Sequence, residues 1–163
     1  LSRAHTDIDG RHSRMGRFVC IALCLPARSR DIECLTWDRV NFANRTVDFR
    51  VPHAVLTKKR KGLKPLPDRL VPILQQAHAE RKSGFVLDSH ASLSTIWKRY
   101  RVGVLGHPDL TRHDLRRTWA TLAAQAGVSM FDIAGMLDDN FDTVAKHYAH
   151  HSPEHLRTAA NHR

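Results

Sequence analysis

The chain has 163 residues, with 26 Lys and Arg against 16 Asp and Glu, a formal net charge of +10. That length suits one domain with a real core, and a 42% hydrophobic content excludes a disordered tail. The longest apolar run, Phe18 to Leu25, is too short for a membrane span and lacks the cleavage site of a signal peptide. Three cysteines, Cys20, Cys24 and Cys34, are odd in number and sit in apolar surroundings, which excludes a disulfide framework or a CxxC zinc site and reads as core. A cytoplasmic domain with an anionic partner remains. The charge is polarised: residues 1–70 carry 15 basic and 7 acidic residues, whereas residues 118–163 carry 3 and 5. Such polarity points to a surface built for nucleic-acid phosphates.

Residues 1–13 read as a polar lead-in, and residues 14–163 as a single domain. A helix is predicted from Met15 to Leu25, broken by Pro26. A second runs from Ser29 to Trp37, with Asp31 and Glu33 near its positive end. After a turn at Asn44, residues Thr46 to Val51 alternate as a strand does. Val55 to Leu66 is predicted as a basic β-hairpin with Gly62 near its turn. Pro67-Asp68 opens a helix carrying Leu70, Ile73, Leu74 and Ala77 at helical spacing. Phe85 to Leu87 is a short apolar segment, and Ser92 to Val102 a helix with Leu93, Ile96, Trp97 and Tyr100 on one stripe. Thr111 and Asp114 resemble a capping box, and Leu115, Trp119, Leu122 and Ala126 are predicted to line one face before Gly127 ends the helix. Ser129 caps a helix to Leu137, another covers Asp142 to His150, and Ser152-Pro153-Glu154 opens the last. The predicted fold is mainly α with a small antiparallel sheet.

The segment Thr111-Arg112-His113-Asp114-Leu115-Arg116-Arg117 carries the chemistry. His113 and Arg116, three apart, share a helix face. An imidazole beside a guanidinium suits a phosphodiester, one moving a proton and the other neutralising the non-bridging oxygens. Two tyrosines are present. Tyr100 lies on an apolar stripe and reads as core, while Tyr148 lies among His147, His150 and His151. A phenol of pKa about 10 needs a neutralised phosphate and a nearby base before it can attack. His147, His150, His151 and His155 have spacing that could hold zinc, but matching Cys or Glu ligands are missing and no metal site is expected.

This segment resembles the His-x-x-Arg box of the tyrosine recombinases, the phage integrase family. Downstream, Met136 to Asn140 followed by Lys146 to His150 is similar to the family's leucine-glycine-histidine element and nucleophilic tyrosine, and the tail from His151 to Leu156 has the same look. Upstream, Arg28, then Asp31 and Leu35-Thr36-Trp37, resembles the first arginine box. Lys58 to Pro65-Leu66 resembles the hairpin that carries the catalytic lysine. The resemblance runs over about residues 15–160, in the order Arg, Lys, His-x-x-Arg, Tyr.

It implies the catalytic domain of a site-specific recombinase acting on double-stranded DNA, as a tetramer on paired sites, with no cofactor, metal, membrane or small-molecule substrate. Bacterial or phage origin goes with it. Arg28 and Arg116 would clamp the scissile phosphate, Tyr148 would form a 3′-phosphotyrosyl link, a lysine would protonate the 5′-oxygen and His113 would move protons. Spacing favours Lys58 as that lysine, with Lys59 next. Lys59, Arg60, Lys61, Lys64, Arg112 and Arg117 would contact DNA. The family's N-terminal DNA-clasping domain is expected to be absent, since the first arginine box begins by residue 28. The sequence departs from the pattern at Asp138-Asp139, where the family has glycine then histidine or tryptophan, and at Pro26, where a glycine is common. Asp139 puts a carboxylate where a donor to the phosphate is expected. Two rival readings follow: a DNA-binding module of the same fold without cleavage, and a type IB topoisomerase, which shares the chemistry.

Overall fold

A computed structural model describes residues 13–50, 62–89, 91–153 and 157–161. Helix α1 (Arg14–Cys24) begins at Ser13, whose hydroxyl accepts from the Gly16 amide at 3.0 Å. It carries Met15, Phe18, Val19, Ile21 and Ala22 into the core and stops before Pro26. Helix α2 (Ser29–Glu33) is shorter than the sequence predicts. Tertiary pairing takes over where the helix would have continued: Thr36 bridges Phe85, the Trp37 amide donates to Gly84 O and the Val86 amide to Leu35 O, both at 2.9 Å. The apolar segment at 85–87 is thus the pairing partner of the first arginine box. A turn of 3-10 helix then covers Trp37–Arg39.

Among the described residues the sheet has three antiparallel strands in the order β1 (Val40–Asn41), β2 (Thr46–Asp48), β3 (Leu63–Pro65). Val47 stands opposite both Val40 and Lys64. The strand predicted over 46–51 ends at Asp48, whose carboxylate takes the amide and guanidinium of Arg50 and turns the chain away. Gly62 has φ +56°, and a Cβ there would lie 2.3 Å from Arg50 Cγ, so the ladder's last bond, Phe49 N–H to Gly62 O at 2.8 Å, requires glycine.

Helices α3 (Val71–Ala79) and α4 (Ser94–Gly103) complete the larger core, with Leu74, Ala77, Trp97 and Tyr100 buried. Helix α5 (Arg112–Gln125) starts with the predicted capping box: Thr111 Oγ1 accepts from the Asp114 amide and the Asp114 carboxylate from the Thr111 amide. Its buried face differs from the one predicted. Leu115, Arg116, Ala120 and Ala124 are inside, while Leu122 is 57% exposed and Ala126 is exposed. The inward stripe follows the i, i+4 spacing of Arg116, an arginine that hydropathy alone places outside. Helices α6 (Met130–Leu137), capped by Ser129, and α7 (Phe141–Tyr148), capped by Asn140, pack on α5. A 3-10 turn at Ala149–His151 and helix α8 (Arg157–Ala160) follow. Of the cysteines Cys20 is buried, and Cys24 and Cys34 are half-buried. Among the described residues no helix is long and apolar enough to cross a membrane.

Among the described residues two apolar clusters result. The larger joins α1, α2, the sheet, α3, α4 and Leu115 at the start of α5. The smaller consists of Ala120, Ala124, Ile133, Ala134, Leu137 and Val144.

Candidate active site

Arg116 sits between the two clusters. Its side chain is 9% exposed, and its two terminal amino groups donate to Pro26 O, just past α1, and to Leu137 O, at the end of α6. Two carbonyls therefore hold the guanidinium like a bracket, and Asp139 approaches it at 3.9 Å. Burial lowers the pKa of Arg116, as does the positive charge of Arg28, while Asp139, Asp138 and Tyr148 oppose the shift. An arginine remains charged under such pressure.

Around this guanidinium lie two adjoining pockets. One, of about 430 Å³, is lined by His113, Arg116, Asp139, Thr143, His147 and Tyr148 with Leu137 and Val144 among its apolar walls. The other, of about 300 Å³, is lined by Arg28, Ser29, Arg112, His113, Arg116 and Asp139. His113, Arg116 and Asp139 line both. Five of the six residues singled out for chemistry, Arg28, His113, Arg116, Asp139 and Tyr148, thus border one continuous region. The sixth, Lys58, lies outside the described residues, as do Lys59, Arg60 and Lys61.

His113 is held on the first turn of α5 by the capping box, with its ring exposed at the pocket. Loss of hydration lowers its pKa, and Arg117, Arg116 and Arg28 push the same way against Asp114. The shift favours the neutral imidazole, the form that can accept a proton. Tyr148 ends α7, half-buried against the smaller cluster, with the His147 ring 6.4 Å away. Asp139 is 44% exposed and its carboxylate accepts from the Asn140 amide at 2.9 Å.

Three expected surface cations behave differently from one another. Arg117 is exposed as expected, 3.3 Å from Asp114. Arg112 instead ion-pairs with the buried carboxylate of Glu33, so it braces the start of α5 against α2. Lys64 is a correction to its expected place on the DNA-facing surface: its side chain is 3% exposed and ion-paired to Asp138 at 2.7 Å. The strand's alternation is the reason, since Gly62, Lys64 and Leu66 turn inward while Leu63 and Pro65 turn out. Burial lowers the Lys64 pKa, with Asp138 opposing and Arg116 and Arg28 adding to the shift. Sequence reading also missed Glu33, which is 4% exposed and gathers Arg112, Arg30 and the Leu93 amide. An acid immediately after the core residue Ile32 was the only local signal. Among the described residues no group of three or more His, Cys, Asp or Glu side chains could hold a metal.

The arrangement is a partly apolar cleft that gathers two guanidinium groups, a phenol and an imidazole. Comparison with known proteins gives the class. The phage integrase family model matches residues 5–155, and the chain belongs to that family. Among solved structures, the Tn1549 transposon integrase bound to transposon right-end DNA superposes with a TM-score of 0.69 at 16% identity, over 90% of this chain and 58% of that one. The catalytic domain of bacteriophage HP1 integrase gives 0.63 at 21% identity, over 91% and 82%. XerA recombinase gives 0.63 at 18%, over 100% and 66%. These likenesses establish the fold, that of integrase catalytic domains. The chain spans somewhat under three-fifths of the Tn1549 integrase chains that it matches. No curated protein sequence matches it.

Proposed function

We propose that this chain is the catalytic domain of a site-specific DNA recombinase working through a covalent 3′-phosphotyrosyl intermediate. The observation that carries the reading is the convergence of Arg28, His113, Arg116 and Tyr148 on one cleft. Arg28 and Arg116 neutralise the scissile phosphate, which a fixed guanidinium fork does well. Tyr148 Oη attacks phosphorus, the P–O5′ bond breaks, and the phenolic proton leaves through His113. Lys58 on the 51–61 segment supplies the proton to the departing 5′-oxygen. The phosphodiester energy stays in the tyrosyl link, so resealing needs no other energy source. Double-stranded DNA is the substrate, with Lys59, Arg60, Lys61 and Arg117 adding salt-dependent affinity for the backbone. Assembly as a tetramer on two paired sites completes the reading.

One observation favours a second reading, a DNA-binding module that no longer cleaves. The Asp139 carboxylate lies 3.9 Å from Arg116, within the clamp. An incoming phosphate meets that charge at the place where the family supplies a donor. Losing one such donor costs about 10²–10³ in rate.

The test is a duplex nicked beside the cleavage position, which traps the covalent adduct. The recombinase reading expects an adduct that disappears in Tyr148→Phe and forms about 10²-fold faster in Asp139→His. Tight binding without adduct in either the parent chain or Asp139→His selects the binding module. Relaxation of supercoiled plasmid regardless of sequence would instead indicate a topoisomerase.

A further inference from the structure

Strand β3 presents its residues in the reverse of hydrophobic order. Leu63 is 54% exposed, whereas Lys64, beside it, is 3% exposed. Burying an ammonium is unfavourable unless nearby groups replace the lost water. Two do. Lys64 Nζ donates to Gly135 O at 3.0 Å and stands 2.7 Å from Asp138 Oδ1. Both partners belong to the last turn of α6 and its cap, where a cation also meets the negative end of the helix.

Asp138 also carries a cost when taken alone. Its φ of +48° and ψ of +45° place it in the left-handed region, where glycine is at ease and a side chain is strained. Without its carboxylate the residue has no reason to be other than glycine, and without Asp138 the buried Lys64 has no counter-charge. Each member is unfavourable singly and compensated by the other.

The turn they secure is the one that orients Arg116. Leu137, immediately before Asp138, supplies the carbonyl that receives one Arg116 amino group. Gly135 O, which accepts from Lys64, also accepts from the Asp138 amide at 3.3 Å. A continuous set of contacts therefore runs from β3 through Lys64 to the end of α6, and on through Leu137 O to the guanidinium.

We infer that Lys64 is a positioning residue for Arg116, acting through its buried pair with Asp138 and the α6 turn that the pair holds. The role of Arg116 as a phosphate clamp rests on the recombinase reading; the coupling of Lys64 to Arg116 does not. The pair also couples the sheet that flanks the 51–61 segment to the turn that ends in Asp139.

The experiment uses the full chain without DNA, following the Arg116 guanidinium protons by NMR, and then the nicked duplex. In Lys64→Met, solvent exchange of those protons is expected to speed up about tenfold or more, because Leu137 O is no longer fixed. Asp138→Asn, which suits a left-handed position but removes the counter-charge, is expected to do the same and carries the test if Lys64→Met fails to fold. Unchanged Arg116 exchange in a folded variant, whatever its melting temperature, overturns the inference and leaves Lys64 a purely structural residue. On the nicked duplex, Lys64→Met should slow adduct formation at saturating DNA about tenfold while Kd stays within about twofold. Weaker DNA binding with a salt slope reduced by about one, and Arg116 unperturbed, would make Lys64 a phosphate contact and also overturn it. A parent chain that forms no adduct counts against the recombinase reading alone, since the exchange measurement requires neither DNA nor cleavage.

Discussion

The two apolar clusters differ in a way that bears on the cleft between them. The larger holds Phe18, Ile21, Leu25, Ile32, Leu35, Trp37 and Trp97, among many others. The smaller has six buried residues, of which Ala120, Ala124 and Ala134 are alanines. Alanine buries little apolar area, so the smaller cluster draws far less on the hydrophobic effect. Arg28 stands just before α2, between Ala27 and Ile32 of the larger cluster, whereas Tyr148 packs against the smaller one. The proposed nucleophile is therefore carried by the less firmly held half. Arg116 hydrogen-bonds to both halves, at Pro26 O and Leu137 O, and fixes the seam. Helix α5 spans that seam, with Leu115 in one cluster and Ala120 and Ala124 in the other.

A pair of truncations would break this contrast most directly. Phe18→Ala is expected to cost about 3–5 kcal/mol and lower the urea midpoint of the whole chain. Ile133→Ala truncates a fully buried side chain of the smaller cluster, at about 2–5 kcal/mol. Its effect should be local: amides of α6 and α7 exchange much faster while those of α1 keep their protection. Equal loss of protection in α1 and α7 would mean that the two clusters unfold as one, and the asymmetry would be wrong.

A smaller effect sharpens the role of the shared helix. Thr111→Ala removes one half of the capping box and is expected to cost about 1 kcal/mol in a melting experiment. Because α5 feeds both clusters, exchange should rise modestly on both sides of the seam. An increase confined to α6 and α7 would place the capping box in the service of the smaller cluster alone.

Those features rest on different kinds of signal. The α5 capping box, the Ser129 cap and the break at Pro26 are local, involving residues within a few positions, and sequence reading placed them well. Helix α2 is shorter than its sequence predicts because the fate of Leu35 to Trp37 is decided by Phe85 and its neighbours, some fifty positions away. The outward face of α5 was misplaced because Leu122 looks like core and Arg116 does not. The inward place of Arg116 depends on carbonyls from two other elements. The cleft residues were found through the order of the motifs, while the partners that brace them were not. Lys64 and Asp138 lie 74 positions apart, and Glu33 and Arg112 lie 79 apart. Sequence assigns Lys64 and Arg112 to DNA, Asp138 to a broken motif and Glu33 to a helix start; only the fold brings each to its partner.

The smallest effect concerns pH at the seam. His113 has a pKa below its usual value, through lost hydration first and the neighbouring arginines next. A group whose pKa is depressed in the folded chain binds protons more readily when unfolded. Its contribution to stability is therefore complete above the unfolded value of about 6.5 and is lost as pH falls through the folded one. Asp114 behaves in the same sense at lower pH, held down by its bonds to Thr111, with its contribution present above about 3.8 and lost below. Melting curves of the parent chain and His113→Gln should therefore converge on acidification from pH 7 toward pH 5.5, the parent losing stability faster. The other eleven histidines are common to both proteins and cancel from the difference. Parallel curves would show that the imidazole feels neither the arginines nor the edge of the cleft. The seam would then be open to water on the His113 side, and the neutral imidazole that the proposed proton transfer uses would owe nothing to the fold.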